Sequence, residues 1–185
     1  MSTRPWRAGL LAVPLLLAGC AGADATEPAA ATSSAQPAPA DGGAAPSETA
    51  AMVCGDDVVG DVSRALALAT PPATTSTWAD QLFTCDYALP MGPLVLSVKE
   101  SPTTSAAAEF FDGRSQQLGG AAPALGLGER AVATPDGTVV VIKDAMTLTV
   151  DATGLPEVFG DNGQRRKDFA YEVASIVLGC WTGHE

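Results

Sequence analysis

An α+β fold is predicted for residues 52–185 of this 185-residue chain, with a mainly antiparallel sheet of about five strands and three helices. Two periodicities support this prediction. Apolar residues alternate with polar ones in several short runs, which is typical of half-buried strands, and recur every three to four residues in longer runs, which is typical of amphipathic helices. The runs follow the order α-β-β-α-β-β-β-α. Strands that are adjacent in the chain favour an antiparallel sheet with its helices largely on one face.

The first helix is expected to begin after Asp56 or Asp57, either of which can cap it, and to stop at Pro71-Pro72. A loop rich in threonine and serine follows it. Two alternating runs, residues 83–89 and 94–98, then flank a Pro-Met-Gly-Pro turn. This arrangement predicts an antiparallel hairpin.

The second helix is expected to start at Ser101-Pro102 and to end at Gly119-Gly120. The last helix has Asp161 or Asn162 as its candidate cap. Both helices have apolar positions at helical spacing. In the second helix these positions are Ala107, Phe110, Phe111 and Leu118, and in the last they are Phe169, Val173, Ile176, Val177 and Cys180.

Three strands form a predicted meander between those two helices, at residues 130–134, 138–143 and 146–150. Asp136-Gly137 is a sequence typical of a type I′ turn, which joins the first two strands tightly. Asp144-Ala145 makes the second turn. The meander completes the set of five strands.

Residues 1–19 have the composition of a secretory signal peptide, with Arg4 and Arg7 ahead of an apolar run too short to span a bilayer. The run ends in Leu-Ala-Gly-Cys, which resembles a bacterial lipobox. That resemblance implies cleavage before Cys20 and lipidation of its thiol. We therefore expect a protein anchored by lipid to the extracytoplasmic face of the cell membrane, with the lipid on Cys20 as its membrane contact.

Residues 20–51 form the expected lipidated N-terminus and tether. They are rich in Ala, Pro, Ser and Thr and contain no large apolar side chain. Such a segment is predicted to stay disordered. Without residues 1–19 the chain has 8 basic residues (10 less Arg4 and Arg7) against 21 acidic ones, a net charge of −13. This charge argues against a nucleic-acid partner, because nucleic-acid-binding proteins present basic surfaces.

Catalytic and metal-binding patterns are weak in this sequence. The single histidine, His184, lies next to the C-terminus, and no cysteine–histidine group has zinc spacing. Residues 126–131 match a loose dinucleotide-binding pattern, but a strand follows them where that pattern requires a helix. They are interpreted as a glycine-containing loop that enters the sheet. We expect no catalytic residue, cofactor or metal.

Four residues are candidate contacts for a ligand or partner: Trp78, Arg165, Arg166 and Lys167. The three basic residues form the one basic cluster in the chain, which would suit an acidic surface or a phosphate-bearing envelope polymer. A solvated polar run is the alternative interpretation. Trp78 and Trp181 would line a cleft, or else pack in the core or at its rim.

Four features recur together in a known family: a helix that starts at a cysteine, a Cys-x-aromatic strand, a Gly-Leu-Gly-acid-x-Ala segment and a final amphipathic helix. Here the first three are Cys54, Cys85-Asp86-Tyr87 and residues 126–131. The chain thus resembles, over roughly residues 52–181, a family of small actinobacterial surface lipoproteins of unknown function. The resemblance implies a PsbP/Mog1-like sandwich and no established activity.

With Cys20 lipidated, three cysteines remain in an oxidising compartment. On these patterns we predict a disulfide between Cys54 and Cys85 and a free Cys180. The alternative is that Cys180 pairs with Cys54 or forms a bond between two molecules.

The sequence favours a non-enzymatic, lipid-anchored envelope protein whose domain binds an unknown envelope protein or a small ligand. One alternative is a hydrolase that acts on the cell wall through an unrecognised pair of carboxylates. The other is an accessory subunit of an envelope transporter.

Overall fold

The computed structural model describes residues 45–160 and 162–182, with the side chain of Thr182 excepted. The predicted signal peptide, Cys20 and most of the predicted tether lie outside the described residues, as do Asp161 and His184. None of the described helices has the length and apolar character that crossing a membrane requires.

The secondary structure consists of four helices and nine strands within the described residues. The helices are α1 (Glu48–Ala51), α2 (Asp56–Ala65), α3 (Thr104–Gln117) and α4 (Arg166–Thr182), and a 3-10 turn at Met52–Cys54 joins the first two. The strands are β1 (Ala73–Ala79), β2 (Leu82–Leu89), β3 (Gly92–Glu100), β4 (Ala122–Pro123), β5 (Arg130–Ala133), β6 (Thr138–Lys143), β7 (Met146–Asp151), β8 (Val158–Phe159) and β9 (Gln164–Arg165).

Seven of these strands form one antiparallel sheet in the order β1-β2-β3-β7-β6-β5-β4, and β8 pairs with β9 separately. The predicted α+β class is confirmed. The β2–β3 hairpin and the β5–β6–β7 meander were both predicted. The large sheet has two strands more than expected, because β1 and β4 extend it at its two edges.

The segment predicted as a Thr/Ser loop is strand β1. Each of its seven residues pairs with one residue of β2, from Ala73 opposite Ala88 to Ala79 opposite Leu82. The strand lies at the sheet edge and most of its side chains are exposed. No apolar alternation marks it in the sequence, although threonine and tryptophan favour strands.

Helices cover the two faces of the sheet unequally. We define the first face as the one that carries Cys85, Leu96 and Val150, which pack with α1, α2 and α4 into the main core. The second face carries the alternate residues. On it, α3 packs against β6 and β7, where Phe111 and Val140 belong to a smaller cluster. The expectation of helices largely on one face therefore holds for α1, α2 and α4, and α3 is the exception.

Several predicted helix ends were wrong by a few residues. Helix α2 stops at Ala65, before the prolines. Thr103, not Ser101, caps α3: its Oγ1 accepts a hydrogen bond from the Ala106 N–H at 3.1 Å. Helix α4 starts at Arg166, directly after β9, so Asn162 does not cap it.

The turn between β5 and β6 is also not of type I′. That turn needs a positive φ at both central residues, and of Asp136 and Gly137 only Gly137 has one, at 98°. The Gly137 N–H donates to the Thr134 carbonyl at 3.3 Å, and the Thr138 N–H donates to Thr134 Oγ1 at 2.9 Å. Residues 134–137 join the two strands.

The described fold begins within the last residues of the predicted 20–51 tether. Ser47 Oγ caps α1 by accepting from the Ala50 N–H at 3.1 Å, and the Ser47 N–H donates to Glu100 Oε1 at 2.8 Å. Ala50 is completely buried in the main core. Small side chains such as that of Ala50 predicted a tether here, but the same small size lets α1 pack closely against the sheet.

Candidate binding surface

A disulfide joins Cys54 and Cys85 with their Cα atoms 5.6 Å apart, as predicted. It ties the 3-10 turn to β2 on the first face. Cys180 is free and half-buried, so it forms no disulfide with Cys54 or Cys85. Burial, with a smaller contribution from the charges of Asp61 and Asp57, raises the pKa of the Cys180 thiol.

Two buried aromatic residues, Tyr87 and Trp181, form hydrogen bonds to the backbone of the segment before α2. Tyr87 is completely buried, and its hydroxyl donates to the Val53 carbonyl. Burial raises the pKa of Tyr87 above its ordinary value. The Trp181 indole N–H donates to the Thr49 carbonyl at 3.1 Å, and the ring is buried. Trp181 is thus a core residue and does not line a cleft.

Trp78 lies on edge strand β1, opposite Phe83 on β2. Its ring is half-buried and packs against the edge of the main core. Strands β2, β3 and β7 lie between it and β6, whose hairpin borders the basic cluster. The structure therefore does not bring Trp78 together with the three predicted basic contacts.

The basic cluster itself divides into three roles. Arg165 Nε pairs with Asp168 Oδ2 at 2.7 Å, on the surface. Arg166 Nη1 donates to the carbonyls of Thr153 and Leu155 at 3.2 and 2.7 Å, so it holds the segment after β7. Lys167 is exposed.

The aliphatic part of the Arg166 side chain leaves no room for a side chain at position 137, where the chain has glycine. A Cβ at Gly137 would lie 2.7 Å from Arg166 Cγ, and Gly137 also has a positive φ. Arg165, Arg166 and Lys167 do line one common cleft of about 240 Å³, together with Pro135 and Glu157. Because the acid shares this cleft, the cluster is only partly a basic surface.

The most exposed large apolar side chain of the described residues is Leu125, at 83%. It lies in the loop between β4 and β5. The Tyr171 hydroxyl, from α4, donates to the Leu125 carbonyl at 2.6 Å, and Tyr171 is itself 37% exposed. This hydrogen bond fixes the loop to the helix. The leucine side chain is left in solvent.

Two open clefts adjoin this loop. One has a volume of about 330 Å³ and is lined by Phe111 and residues 123–132. The other has a volume of about 350 Å³, and Ala122, Ala133 and Tyr171 are among its lining residues. Most of the surface in both is apolar. We call residues 122–128 and Tyr171, with these two clefts, the Leu125 surface.

Glycines shape this loop where it enters the sheet, as its sequence predicted. Gly126 has φ 82°, and a Cβ there would lie 3.3 Å from the Tyr171 hydroxyl. Gly128 has φ 51°, and a Cβ would lie 2.6 Å from the Ile142 carbonyl oxygen. Between them Leu127 turns inward and is buried. A strand follows the loop, so the dinucleotide-binding pattern has no helix to complete it.

The Leu125 surface offers apolar contact rather than acid–base chemistry. One cleft contains the carboxylate of Glu129 and the other that of Asp168. Most glycoside hydrolases hold two carboxylates in one cleft. Among the residues that the structure describes, no group of three or more His, Cys, Asp or Glu side chains has the arrangement of a metal site.

Comparison with protein-family models, curated proteins and solved structures finds no match to this chain. The resemblance to a surface lipoprotein family and the PsbP/Mog1-like form of the fold stay predictions.

Sequence reasoning missed both residues at the centre of this surface. The available signal for Leu125 was a large apolar residue among Pro, Ala and Gly, where loops are usually polar. Tyr171 lies on the polar side of α4, opposite the apolar stripe that was used to predict the helix. Their contact joins positions 46 residues apart, which helical periodicity cannot reveal.

Proposed function

We propose that this chain is a lipid-anchored protein of the extracytoplasmic membrane face and that its domain is a non-enzymatic binding module. The lipid would be attached to Cys20. The Leu125 surface would bind a small apolar ligand or an apolar side chain of an envelope protein. An envelope transporter that uses this chain as an accessory subunit would be one such protein partner.

Support for the location comes from two separate parts of the chain. The Leu-Ala-Gly-Cys sequence resembles a lipobox, and a signal-peptide composition precedes it. The Cys54–Cys85 disulfide is typical of proteins in oxidising compartments, where such bonds persist. A diacyl anchor would hold the membrane more durably than a single chain.

The observation that carries the binding proposal is the fixed exposure of Leu125. A single exposed leucine is common on protein surfaces and does not by itself indicate a binding site. Here, however, the Tyr171 hydrogen bond holds the loop, and clefts of about 330 and 350 Å³ adjoin it. Apolar surface that is ordered before binding loses little conformational entropy when a ligand arrives. This is the arrangement expected of a preformed binding site.

A photo-reactive phenylalanine analogue at position 125 of the full chain tests this proposal in membranes. The matched control has the analogue at Val158, which is 53% exposed and lies in β8, away from both clefts. We expect a defined adduct, identified by mass spectrometry, from position 125 and not from position 158. Equal labelling from both positions, or none from position 125, would contradict the binding proposal.

The anchor is tested independently of the binding surface. Radiolabelled palmitate should label the wild-type chain and not a Cys20→Ala variant. Label that persists in Cys20→Ala would show that the lipobox interpretation is wrong.

A further inference from the structure

Strand β1 forms one edge of the seven-stranded sheet. It pairs with β2 on one side, and no strand of the described residues lies on its other side. Half of the backbone N–H and C=O groups of an edge strand point away from the sheet and can bond to another strand. The β1–β2 register is continuous over seven residue pairs, without a bulge. The edge is therefore regular enough to accept a partner strand.

Its sequence, Ala-Thr-Thr-Ser-Thr-Trp-Ala, has none of the features that usually protect an edge. It contains no charged residue, no proline and no glycine. The opposite edge, β4, is only two residues long, and one of them is Pro123, which lacks an N–H. The two edges thus differ in their capacity to add a strand.

We propose that β1 of a second copy of this chain pairs antiparallel with β1, with the twofold axis at Ser76. In this register Thr75 lies opposite Thr77 of the other copy, and Ala73 lies opposite Ala79. All seven residues of β1 are then paired, with about one hydrogen bond per residue pair. The two sheets become one continuous sheet of fourteen strands.

The same register places each side chain beside a suitable neighbour. Thr74 and Trp78 point to the first face, so each Trp78 ring lies beside Thr74 of the other copy. Pairs of aromatic and β-branched residues on neighbouring strands are favourable. Trp78 is half-buried now, with ring surface still available for this contact. Trp78 was predicted to contact a partner, and in this dimer the residue that it contacts is Thr74 of the second copy.

Charge does not oppose this pairing, although the chain has a net charge of −11. The nearest acid along the strand is Asp80, which lies opposite the uncharged Pro72 of the other copy. Asp86 on β2 is separated from its equivalent by three strand spacings and a two-residue offset, about 16 Å. This distance exceeds the Debye length of about 8 Å at physiological salt. A partner of the same uncharged, β-branched chemistry fits this edge, and a second copy supplies it.

Cysteine cross-linking in membranes tests the register. Two differently tagged full chains are produced together, each with Cys180→Ser, so that Cys54 and Cys85 remain paired. One copy carries Thr75→Cys and the other Thr77→Cys. Opposite residues of antiparallel strands have Cα atoms about 4.5–5.5 Å apart, which a disulfide can bridge. We expect a mixed disulfide dimer from this pair and from the pair Ala73→Cys with Ala79→Cys.

The matched control combines Ala73→Cys with Thr75→Cys. All four positions are exposed in the single chain, but these two would lie about 14 Å apart in the dimer, so we expect at least about tenfold less cross-linking. Equal cross-linking in all pairs would indicate random collision and overturn the proposal. Cross-links to another protein instead of a second copy would overturn it as well.

A second set of variants tests the pairing without relying on cysteine chemistry at the centre of the strand. Thr75→Lys with Thr77→Lys places like charges directly opposite one another, which disfavours antiparallel pairing. We expect the Ala73→Cys with Ala79→Cys dimer to be lost in this background. The exposed Val158→Lys in β8, outside the large sheet, should leave it unchanged. A dimer that persists with both lysines would exclude pairing at this edge.

Discussion

The two faces of the sheet differ in how completely the chain covers them. On the first face, α1, α2 and α4 pack over the sheet and a disulfide joins Cys54 to Cys85. On the second face, α3 covers β6 and β7 and packs against Val132 of β5, whereas the second-face residues of β1 and β2 are exposed or half-buried. Thr84 and Ser97, next to each other on β2 and β3, are only half-buried there, and Asp86 is exposed.

This difference separates the parts of the molecule that maintain the fold from those available to a partner. The first face is covered by α1, α2 and α4, and its core side chains are buried. The β1 edge and the Leu125 surface both lie where that cover ends. Substitutions should therefore affect stability most on the first face, less under α3, and least on the more exposed part of the second face.

The largest effect is expected from removing the disulfide. In Cys54→Ala with Cys85→Ala, the free energy of unfolding should fall by about 4 kcal/mol, from the chain-entropy model for a separation of 31 residues. Urea denaturation followed by circular dichroism measures it. Cys180→Ser is the control, with an expected change within about 0.5 kcal/mol. A loss below about 1 kcal/mol in the double variant would mean that the disulfide does not secure the first face.

The next effect tests the smaller cluster under α3. Phe111 is 2% exposed, and Phe111→Ala should lower the free energy of unfolding by about 3 kcal/mol, because a buried aromatic ring is replaced by a cavity. Phe110, one residue earlier, is half-buried with Lys99 Nζ 6.0 Å from its ring centroid.

Phe110→Ala is the matched control, with an expected loss of about 1 kcal/mol, since much of its ring already contacts water. Both are measured by urea denaturation of the same full chain. Equal losses from the two variants would show that α3 does not seal the second face over β6.

Local patterns in the sequence predicted much of this fold. Alternation over residues 83–89 and 94–98 predicted the hairpin, and the stripe that includes Phe169 and Val173 predicted α4. Strand β1 was missed because edge position and exposure remove the alternation. The helix ends were misplaced because caps depend on which hydroxyl lies closest to a free N–H, as at Thr103.

The candidate site was harder to predict because tertiary contacts create it. The Arg165–Lys167 run was predicted as a basic contact surface or a solvated run; its three residues share one cleft with Glu157, while Arg165 pairs with Asp168 and Arg166 holds backbone carbonyls. The sequence left Trp181 open between a cleft and the core or its rim, and the hydrogen bond from its indole N–H to the Thr49 carbonyl, with the ring buried, places it in the core. Leu125 acquires its significance only from Tyr171. Sequence patterns report which residues are apolar or charged, and these contacts decide what the residues do.

A smaller effect on the first face is expected from Tyr87→Phe, which removes the hydroxyl that donates to the Val53 carbonyl. Leaving that carbonyl without its partner in the core should cost about 1–2 kcal/mol of unfolding free energy. Tyr171→Phe, at the surface, is the matched control with an expected change below about 0.5 kcal/mol.

The Tyr87 substitution also has a pH signature. Burial raises the pKa of Tyr87 in the folded chain, so its neutral form is favoured there. This stabilisation is fully present below the unfolded pKa of about 10 and is lost as pH rises above that value. The stability gap between wild type and Tyr87→Phe should therefore close above about pH 10. A gap that stays constant from pH 8 to 11 would contradict the burial of this hydroxyl.

The smallest effect has the opposite sign and compares two threonines on the second face. Thr147 is buried under α3, and its Oγ1 has no hydrogen-bond partner among the described residues. Thr147→Val keeps the shape and removes a buried polar atom, so we expect a gain of about 1 kcal/mol in unfolding free energy. Thr84 lies on the more exposed part of the same face, where it is half-buried. Thr84→Val should change stability by less than about 0.5 kcal/mol. A stabilisation of equal size at both positions would mean that α3 shields the Thr147 hydroxyl from water no better than the exposed part of the face shields that of Thr84. The contrast within the second face would then be lost.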